Sequence, residues 1–371
     1  MRPSRSVRWI VANSNERMSI WQLVRASNDA LQWAVRPQES SGTVEITMLR
    51  FGFLNRVYAP GFDASVFESA LRLISAAETL GLDSAWVAQH HAASESGRLP
   101  SPLVLLAAAA QRTRKIQLGT GVVVLPLESA FRLAEDASVV DALSAGRVQL
   151  GLGAGFDRLT FATFGEKFDE RHAAYDEILR QLQDLLAGAP LVDTVPDTVL
   201  QPPARALRER LWEAGGRVGA IVAHRNGFLV APRSPDVESE QSLIRRYHAE
   251  WRVAGYADAP RLALVRGVFP GRDRKQVEAE IAPDIKTHLE KRERQFNSAD
   301  LPTVLRRLGV LWGSPQQIVD EIGELSVLSG VSHFIAQVQT RTTSHDIAVS
   351  RLQMFAEKIV PALGGVCVSA P

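Results

Sequence analysis

The chain has 371 residues, of which 46% are hydrophobic and 22% are charged, a composition typical of a soluble globular protein. Its 42 basic and 41 acidic residues give a net charge of +1, which predicts neither a nucleic-acid partner nor binding to a membrane surface. The single cysteine, Cys367, excludes an internal disulfide and a cysteine-rich metal site, and it fits a reducing, cytoplasmic location.

Residues 1–47 differ from the rest of the chain, because they contain scattered arginines and three tryptophans but no repeated strand-and-helix pattern. We predict that they form an N-terminal extension outside the core. A single domain is predicted over residues 48–363, followed by a C-terminal tail over residues 364–371. Arg8 interrupts the apolar segment around it, so we do not expect a secretion signal.

From Met48 onward, short apolar runs alternate with segments of helical spacing. The runs predicted as strands are Leu49–Leu54, Ser84–Gln89, Ile116–Val124, Arg147–Gly153, Leu211–Trp212, Phe228–Val230, Leu262–Val265 and His333–Val338. Helices are predicted at Pro102–Gln111 and Ala130–Leu143, and a capping box at Ser314–Gln317 predicts another helix start. Such alternation requires a parallel sheet covered by helices, but periodicity alone does not separate an eight-stranded barrel from a doubly wound sheet.

Three glycine-containing segments interrupt or follow these strands. Gly119–Gly121 lies within the third strand, where glycine indicates either a ligand close to the backbone or tight packing. Gly151–Gly155 lacks the glycine spacing of a dinucleotide fingerprint, so we favour a strand end left open for a flat ligand. Gly215–Arg217 precedes the predicted helix Ala220–Arg225, and it could cradle a phosphate or form only a flexible turn.

Two adjacent histidines, His90 and His91, follow the second predicted strand. Side chains alternate along a strand, so these two should not point to the same face. Each could be a buried imidazole bonded to a carbonyl, but catalytic side chains of α/β folds also lie where parallel strands end. We predict no metal site, because neighbouring strand residues diverge and the nearby Asp83 and Glu95 show no ligand spacing.

Several segments, taken in order, resemble the bacterial luciferase-like monooxygenases. They are Glu78–His91, Gly119–Pro126, Arg132–Asp136, Leu143–Arg147, Gly313–Val319 and Phe355–Pro361. The resemblance implies an α/β fold, a (β/α)8 TIM barrel that binds reduced FMN at the carboxyl ends of its strands. It further implies that a flavin reductase supplies the FMN, that dioxygen is used to oxygenate a small-molecule substrate, and that the chain forms a homodimer.

Individual residues take their expected roles from this resemblance. His90 matches the family's catalytic histidine, and an imidazole that titrates near neutral pH could move a proton during the oxygen chemistry. Gly121 and Val122 match a pair often joined by a cis peptide bond against the flavin. Gly153 matches a position where luciferase has a flavin-facing cysteine, and His91 is left as a structural residue that holds the loop after it.

Two departures from the family pattern bear on these roles. Ala154 stands where luciferase has an arginine that helps to hold phosphate, so we predict that Gly215, Gly216 and Arg217 bind the FMN phosphate instead. Gln89 replaces the usual glutamate before the two histidines, so the sequence does not determine the charge environment of His90.

We therefore predict a flavin-dependent monooxygenase with reduced FMN as its cofactor. One alternative is a deazaflavin-dependent oxidoreductase that transfers hydride without dioxygen, since the two cofactors have similar tricyclic rings. A second alternative is a barrel that binds flavin without turnover, which the departures at Gln89 and Ala154 leave open.

Overall fold

The computed structural model describes residues 46–58, 65–91, 97–192, 194–231, 237–290, 300–325, 330–363 and 367–369. Within these residues, eight parallel strands close into a barrel. In chain order they are β1 Arg50–Asn55, β2 Ser84–Val87, β3 Gln117–Thr120, β4 Val148–Gly153, β5 Leu211–Ala214, β6 Gly227–Val230, β7 Leu262–Pro270 and β8 His333–Gln337. Each strand pairs in parallel with the next, and β8 returns to β1 with Phe334 opposite Phe51. The closed sheet confirms the predicted TIM barrel and removes the doubly wound alternative.

Helices lie between successive strands and cover the outside of the barrel. They span Ser65–Thr79, Pro102–Arg112, Ala130–Leu143, Arg158–Phe164, Arg171–Ala187, Val218–Ala223, Val237–Val253, Arg274–Glu290, Leu301–Arg307, Pro315–Glu324 and His345–Met354, the last continued by Phe355–Ile359 and Val360–Leu363. The predicted capping box is present: the Ser314 hydroxyl accepts from the Gln317 N–H at 3.3 Å, and the Gln317 side chain accepts from the Ser314 N–H at 2.9 Å. Among the described residues, no helix is both long and apolar enough to cross a membrane.

Some predicted boundaries differ from the structure. The third predicted strand is interrupted, because the chain leaves the sheet after β3 and pairs with β4 again only at Val123–Val124. The helices Val237–Val253 and Arg274–Glu290 were not predicted, since their many charged residues obscure the apolar stripe. Ile46–Met48 pairs antiparallel with Cys367–Ser369, and a further short strand, Leu311–Gly313, pairs with β7. The predicted boundaries of extension, domain and tail stay predictions.

The barrel interior holds its own apolar cluster, separate from the main core between strands and helices. The cluster comprises Leu54, Trp86, Ala88, Trp212, Leu229, Ala263 and Ile335. The indole rings of Trp86 and Trp212 meet edge to face, with centroids 5.7 Å apart. A β-carbon at Gly119 would lie 2.3 Å from the Trp86 ring, and one at Gly227 would lie 2.4 Å from the Trp212 ring. Packing therefore requires these two glycines, which decides between the two interpretations of Gly119.

His333 lies in the same interior, beside Trp212. The two ring centroids are 5.0 Å apart, and His333 Nδ1 lies 2.8 Å from the Ser332 hydroxyl. Burial, assisted by the positive charges of Arg50 and Arg261, lowers the pKa of His333 from 6.5 to about 3. The imidazole is therefore neutral in the folded protein at neutral pH.

We expect acid to destabilise the fold through His333. Its pKa is about 3 in the folded chain against an ordinary value of 6.5, so between these values the unfolded chain binds more protons. Stability should therefore decrease as the pH falls, by about 2 kcal/mol between about pH 8 and pH 5 for this residue. Urea unfolding of the wild type and of His333→Asn over this range measures the effect. The variant should lose less stability on acidification, and parallel curves for the two proteins would contradict the assignment.

Candidate active site at the mouth of the barrel

The carboxyl ends of strands β2 to β5 bring the predicted site residues to one face of the barrel. His90 follows β2, Gly121 and Val122 follow β3, Gly153 ends β4, and Gly215–Arg217 follows β5. In TIM barrels the carboxyl face carries the active site. The structure thus arranges these residues around one mouth, while the role of each stays a prediction.

His90 is held in place by the segment that follows it. Its backbone N–H donates to the Leu99 carbonyl at 2.8 Å, and a β-carbon at Gly97 would lie 2.5 Å from the His90 ring. His90 Nε2 is buried and has no hydrogen-bond partner among the described residues. Burial, assisted by the positive charge of Arg56 and by the neighbouring His91, lowers the pKa of His90 to about 3. The expectation of an imidazole titrating near neutral pH is therefore wrong: this imidazole is neutral.

His91 takes a different environment from its neighbour. Its ring meets the edge of Phe164, in the helix Arg158–Phe164, with centroids 4.8 Å apart. Burial also lowers the pKa of His91, so the neutral form is favoured there too. The contact agrees with a packing role. The loop that His91 was predicted to hold falls largely on residues 92–96, which lie outside the described residues.

Gly121 and Val122 form part of an apolar floor beneath the mouth. The peptide bond between them is cis, as the resemblance implied. A β-carbon at Gly121 would lie 3.2 Å from Leu54, and one at Gly153 would lie 2.6 Å from the Val122 side chain. Val122 is only partly buried and packs on the interior cluster of the barrel. Glycine backbone and aliphatic groups thus leave a surface that a flat ring can approach.

Gln89 fastens the end of β2 to the chain after β3. Its side-chain oxygen accepts from the Val124 N–H at 2.6 Å, and its amide nitrogen donates to Glu128 at 2.9 Å and to the Pro100 carbonyl at 3.1 Å. Its backbone N–H donates to the Val122 carbonyl at 3.4 Å. Burial raises the pKa of Glu128, although the bond from Gln89 opposes that shift. The sequence did not point to Glu128, which supplies a carboxylate close to the position where the family has its glutamate.

The loop after β5 combines open backbone with a paired guanidinium. A β-carbon at Gly216 would meet nothing within 4 Å, so packing does not require glycine at that position. Arg217 precedes the helix Val218–Ala223, which begins two residues before its predicted start. Its guanidinium forms a bidentate ion pair with Asp176, with one bond of 2.9 Å. A phosphate would therefore compete with Asp176 for Arg217, and no local pattern in the sequence predicted this ion pair.

Glu213, which lies on β5 just before this loop, is held by a network of hydrogen bonds. It is buried on the outer face of β5 and accepts from the Tyr175 hydroxyl at 2.8 Å and from the Asn226 amide at 2.9 Å. His224 Nδ1 lies 2.9 Å from the same carboxylate. Burial, together with the charge of Glu213, raises the pKa of Tyr175, so the phenol stays protonated as the donor. Tyr175 adjoins Asp176 in sequence, so this network also fixes the partner of the loop arginine.

Known proteins resemble the chain over most of this barrel. The profile described as luciferase-like monooxygenase matches residues 48–333. The chain belongs to this family. Curated relatives include YwcH of Bacillus subtilis, 30% identical over 227 residues, or 56% of this chain and 64% of that protein. The 4-hydroxyprotoasukamycin monooxygenase of Streptomyces nodosus is 42% identical over 111 residues, 29% of either chain. The alignments thus span less than two thirds of the length of these two relatives.

Solved structures share the fold of this family member. The monooxygenase RslO1 from Streptomyces bottropensis superposes with a TM-score of 0.73 at 22% identity, covering 84% of this chain and 99% of that one. The oxygenating constituent of 3,6-diketocamphane monooxygenase from Pseudomonas putida, solved with FMN, gives 0.71 at 17% identity, covering 87% and 100%. The coenzyme F420-dependent tetrahydromethanopterin reductase from Methanopyrus kandleri gives 0.62 at 18% identity, covering 85% and 99%. At these low sequence identities, the structural similarity establishes the barrel fold and nothing more specific.

We expect Gln89→Glu to destabilise the mouth. The new carboxylate could still accept from the Val124 N–H, but it could not donate to Glu128 or to the Pro100 carbonyl. Two facing carboxylates and a lost donor should reduce the free energy of unfolding by about 1–3 kcal/mol at neutral pH. The loss should shrink in acid, because a protonated carboxyl can donate again. Urea unfolding at several pH values measures it.

The matched control is Glu128→Gln. Alone it should have a small effect, because the Gln89 amide can donate to the new amide oxygen. Combined with Gln89→Glu it should restore much of the lost stability, because the donor and acceptor are exchanged. Additive losses in the double variant would show that the two side chains do not act as a pair.

Proposed function

We propose that the chain is a flavin-dependent monooxygenase that uses reduced FMN and dioxygen to oxygenate a small organic substrate. The observation that carries the proposal is the position of His90 at the mouth of a luciferase-like barrel, where its buried Nε2 has no hydrogen-bond partner among the described residues. Reduced flavin, when bound, activates dioxygen so that one oxygen atom can pass to a substrate. A flavin reductase as electron donor and a homodimer remain predictions from the family.

The residues at the mouth fit a flat tricyclic ring. Gly121, Val122 and Gly153 provide a surface of backbone and aliphatic atoms, and the partly buried Ala214 and Val265 extend the apolar cluster beneath. Such a surface excludes water, which protects reactive oxygen chemistry from side reactions. Among solved relatives of this fold, one was determined with FMN and another depends on coenzyme F420, which supports a flavin-type cofactor.

His90 has a defined chemical capacity in this setting. Because its pKa is about 3, the ring is neutral at physiological pH and carries one N–H and one free nitrogen lone pair. It can therefore donate or accept a hydrogen bond at Nε2, according to its tautomer, whereas a pKa of about 3 makes it a weak base at neutral pH. The apolar surroundings that keep the ring neutral also keep competing water away.

The reaction with dioxygen tests this function. Reduced FMN is mixed anaerobically with the protein and then with oxygenated buffer, while flavin reoxidation and hydrogen peroxide release are followed. We expect protein-bound FMN to reoxidise more slowly than free FMN, and we expect His90→Ala to accelerate reoxidation and to release more peroxide. His91→Ala is the matched control, because it removes the adjacent imidazole that packs on Phe164. Tight binding of a deazaflavin with no protection of reduced FMN would favour the hydride-transfer alternative, and flavin binding without any change in reactivity would favour a simple binding barrel.

The FMN phosphate provides a separate test at the loop after β5. Arg217→Gln should weaken binding of FMN by about tenfold or more while leaving riboflavin nearly unchanged, because only FMN offers a phosphate. Asp176→Asn should have the opposite effect, since it frees Arg217 from its ion pair. Fluorescence titrations with both flavins measure the two affinities. Equal losses for FMN and riboflavin in Arg217→Gln would place the phosphate elsewhere.

A further inference from the structure

Arg56, which directly follows β1, is a partly buried cation that forms no ion pair with a carboxylate of the described residues. Its Nη1 donates to the Tyr58 hydroxyl at 3.2 Å, while its Nε is buried and has no hydrogen-bond partner among the residues described. Some other arginines of low exposure are bonded to a carboxylate, as Arg266 is to Glu240, and others donate to neutral oxygens, as Arg261 does to the Leu211 carbonyl. A buried guanidinium N–H needs an acceptor of one kind or the other. The buried Nε of Arg56 has neither among the described residues, so it is a donor that an oxygen of a ligand can satisfy.

The position of Arg56 relates it to the mouth. Side chains alternate along β1, and Leu54, two residues earlier, belongs to the interior cluster, so Arg56 lies on the interior side. A β-carbon at Gly97 would lie 2.3 Å from the Arg56 carbonyl oxygen and 2.5 Å from the His90 ring. Gly97 thus brings the backbone of Arg56 and the ring of His90 close together. The electrostatic effect of Arg56 on His90 agrees with this proximity.

We propose that the substrate of this site is an organic anion, an apolar molecule with a carboxylate that Arg56 binds beside His90. The inference rests on the proposed function, because it names the class of molecule oxygenated at the same mouth. A guanidinium binds a carboxylate through two parallel hydrogen bonds, and the unpartnered Nε of Arg56 offers one of the donors. The unpartnered Nε2 of His90 offers a further site for a hydrogen bond, and the apolar floor accommodates the rest of the molecule.

A neutral substrate fits this arrangement less well. It offers the Arg56 guanidinium no opposite charge, and a neutral acceptor forms a weaker hydrogen bond with a guanidinium than a carboxylate does. The phosphate of FMN is the other possible source of an oxyanion. The loop predicted to take that phosphate follows β5, which lies across the eight-stranded barrel from β1. We therefore assign Arg56 to the carboxylate of the substrate.

Equilibrium binding tests the proposal without any turnover. Isothermal titration calorimetry of the protein, alone and saturated with oxidised FMN, compares octanoate with octanamide and benzoate with benzamide. Each pair has nearly the same shape and differs in charge. In the wild type, at least one carboxylate should bind about tenfold or more tightly than its amide, as expected for a charge-assisted bidentate contact. Arg56→Gln should reduce that ratio to about one while the amide binds as before, which also shows that the variant is folded.

Two further variants sharpen the result. Arg56→Lys keeps the charge but not the planar fork, so it should retain part of the preference. Arg50→Gln removes an arginine from the opposite end of β1 and should leave the preference unchanged, because that site is exposed and remote from the mouth. If Arg50→Gln lost the carboxylate preference to a similar extent, the preference would result from the overall charge of the protein, and the proposal would be overturned.

Three other results would also overturn it. The first is a wild type that binds neither carboxylate more tightly than its amide, and the second is an undiminished preference in Arg56→Gln. The third is an Arg56→Gln variant that loses affinity for FMN but not for riboflavin, which would assign the guanidinium to the cofactor phosphate. Failure of the flavin reaction with the carboxylate preference intact would instead refute the proposed function and leave the anion site standing.

Discussion

Two indole rings fill the interior of the barrel, and each lies over a glycine on the next strand. Trp86 on β2 is directly opposite Gly119 on β3, and Trp212 on β5 is directly opposite Gly227 on β6. A single added β-carbon at either glycine would overlap an aromatic ring. The indole N–H groups are also satisfied inside, Trp86 by Ser84 at 2.9 Å and Trp212 by Gln149 at 2.8 Å. Because the interior is filled in this way, the barrel has an apolar floor at its carboxyl end instead of an open channel.

The mouth above that floor combines neutral and paired polar groups. Burial keeps His90 neutral, and the side-chain amide of Gln89 donates a hydrogen bond to the partly buried carboxyl group of Glu128. Arg217 is neutralised by Asp176, whereas Arg56 has no such partner in the described part of the chain. In a site with little water, an unpaired charge selects strongly among ligands, whereas a paired charge can act only by exchanging its partner. The distribution of these charges therefore bears on ligand choice more directly than the shape of the fold does.

Local pattern in the sequence predicted most of the barrel correctly. Alternating apolar runs and helical spacing identify the strands, and the capping box at Ser314 marks a helix start, because both signals depend on residues close together in the chain. Two charged helices, Val237–Val253 and Arg274–Glu290, were not predicted, because their many polar residues obscure a narrow apolar stripe. Barrel closure did not follow from periodicity. It required either the family resemblance or the observed pairing of β8 with β1.

The sequence by itself, interpreted through the family resemblance, determined that His90, Gly121, Val122 and Gly153 share one face of a luciferase-like barrel, although it did not determine that β3 ends before Gly121. Tertiary structure alone decided the chemical state of those residues. Gln89 meets Glu128 across 39 positions of sequence, and Arg217 meets its carboxylate partner across 41. The neutral ring of His90 likewise results from burial by distant segments. Protonation and charge pairing depend on solvent exclusion and on contacts a few ångströms long, and no local pattern in the chain encodes which remote residues will provide them.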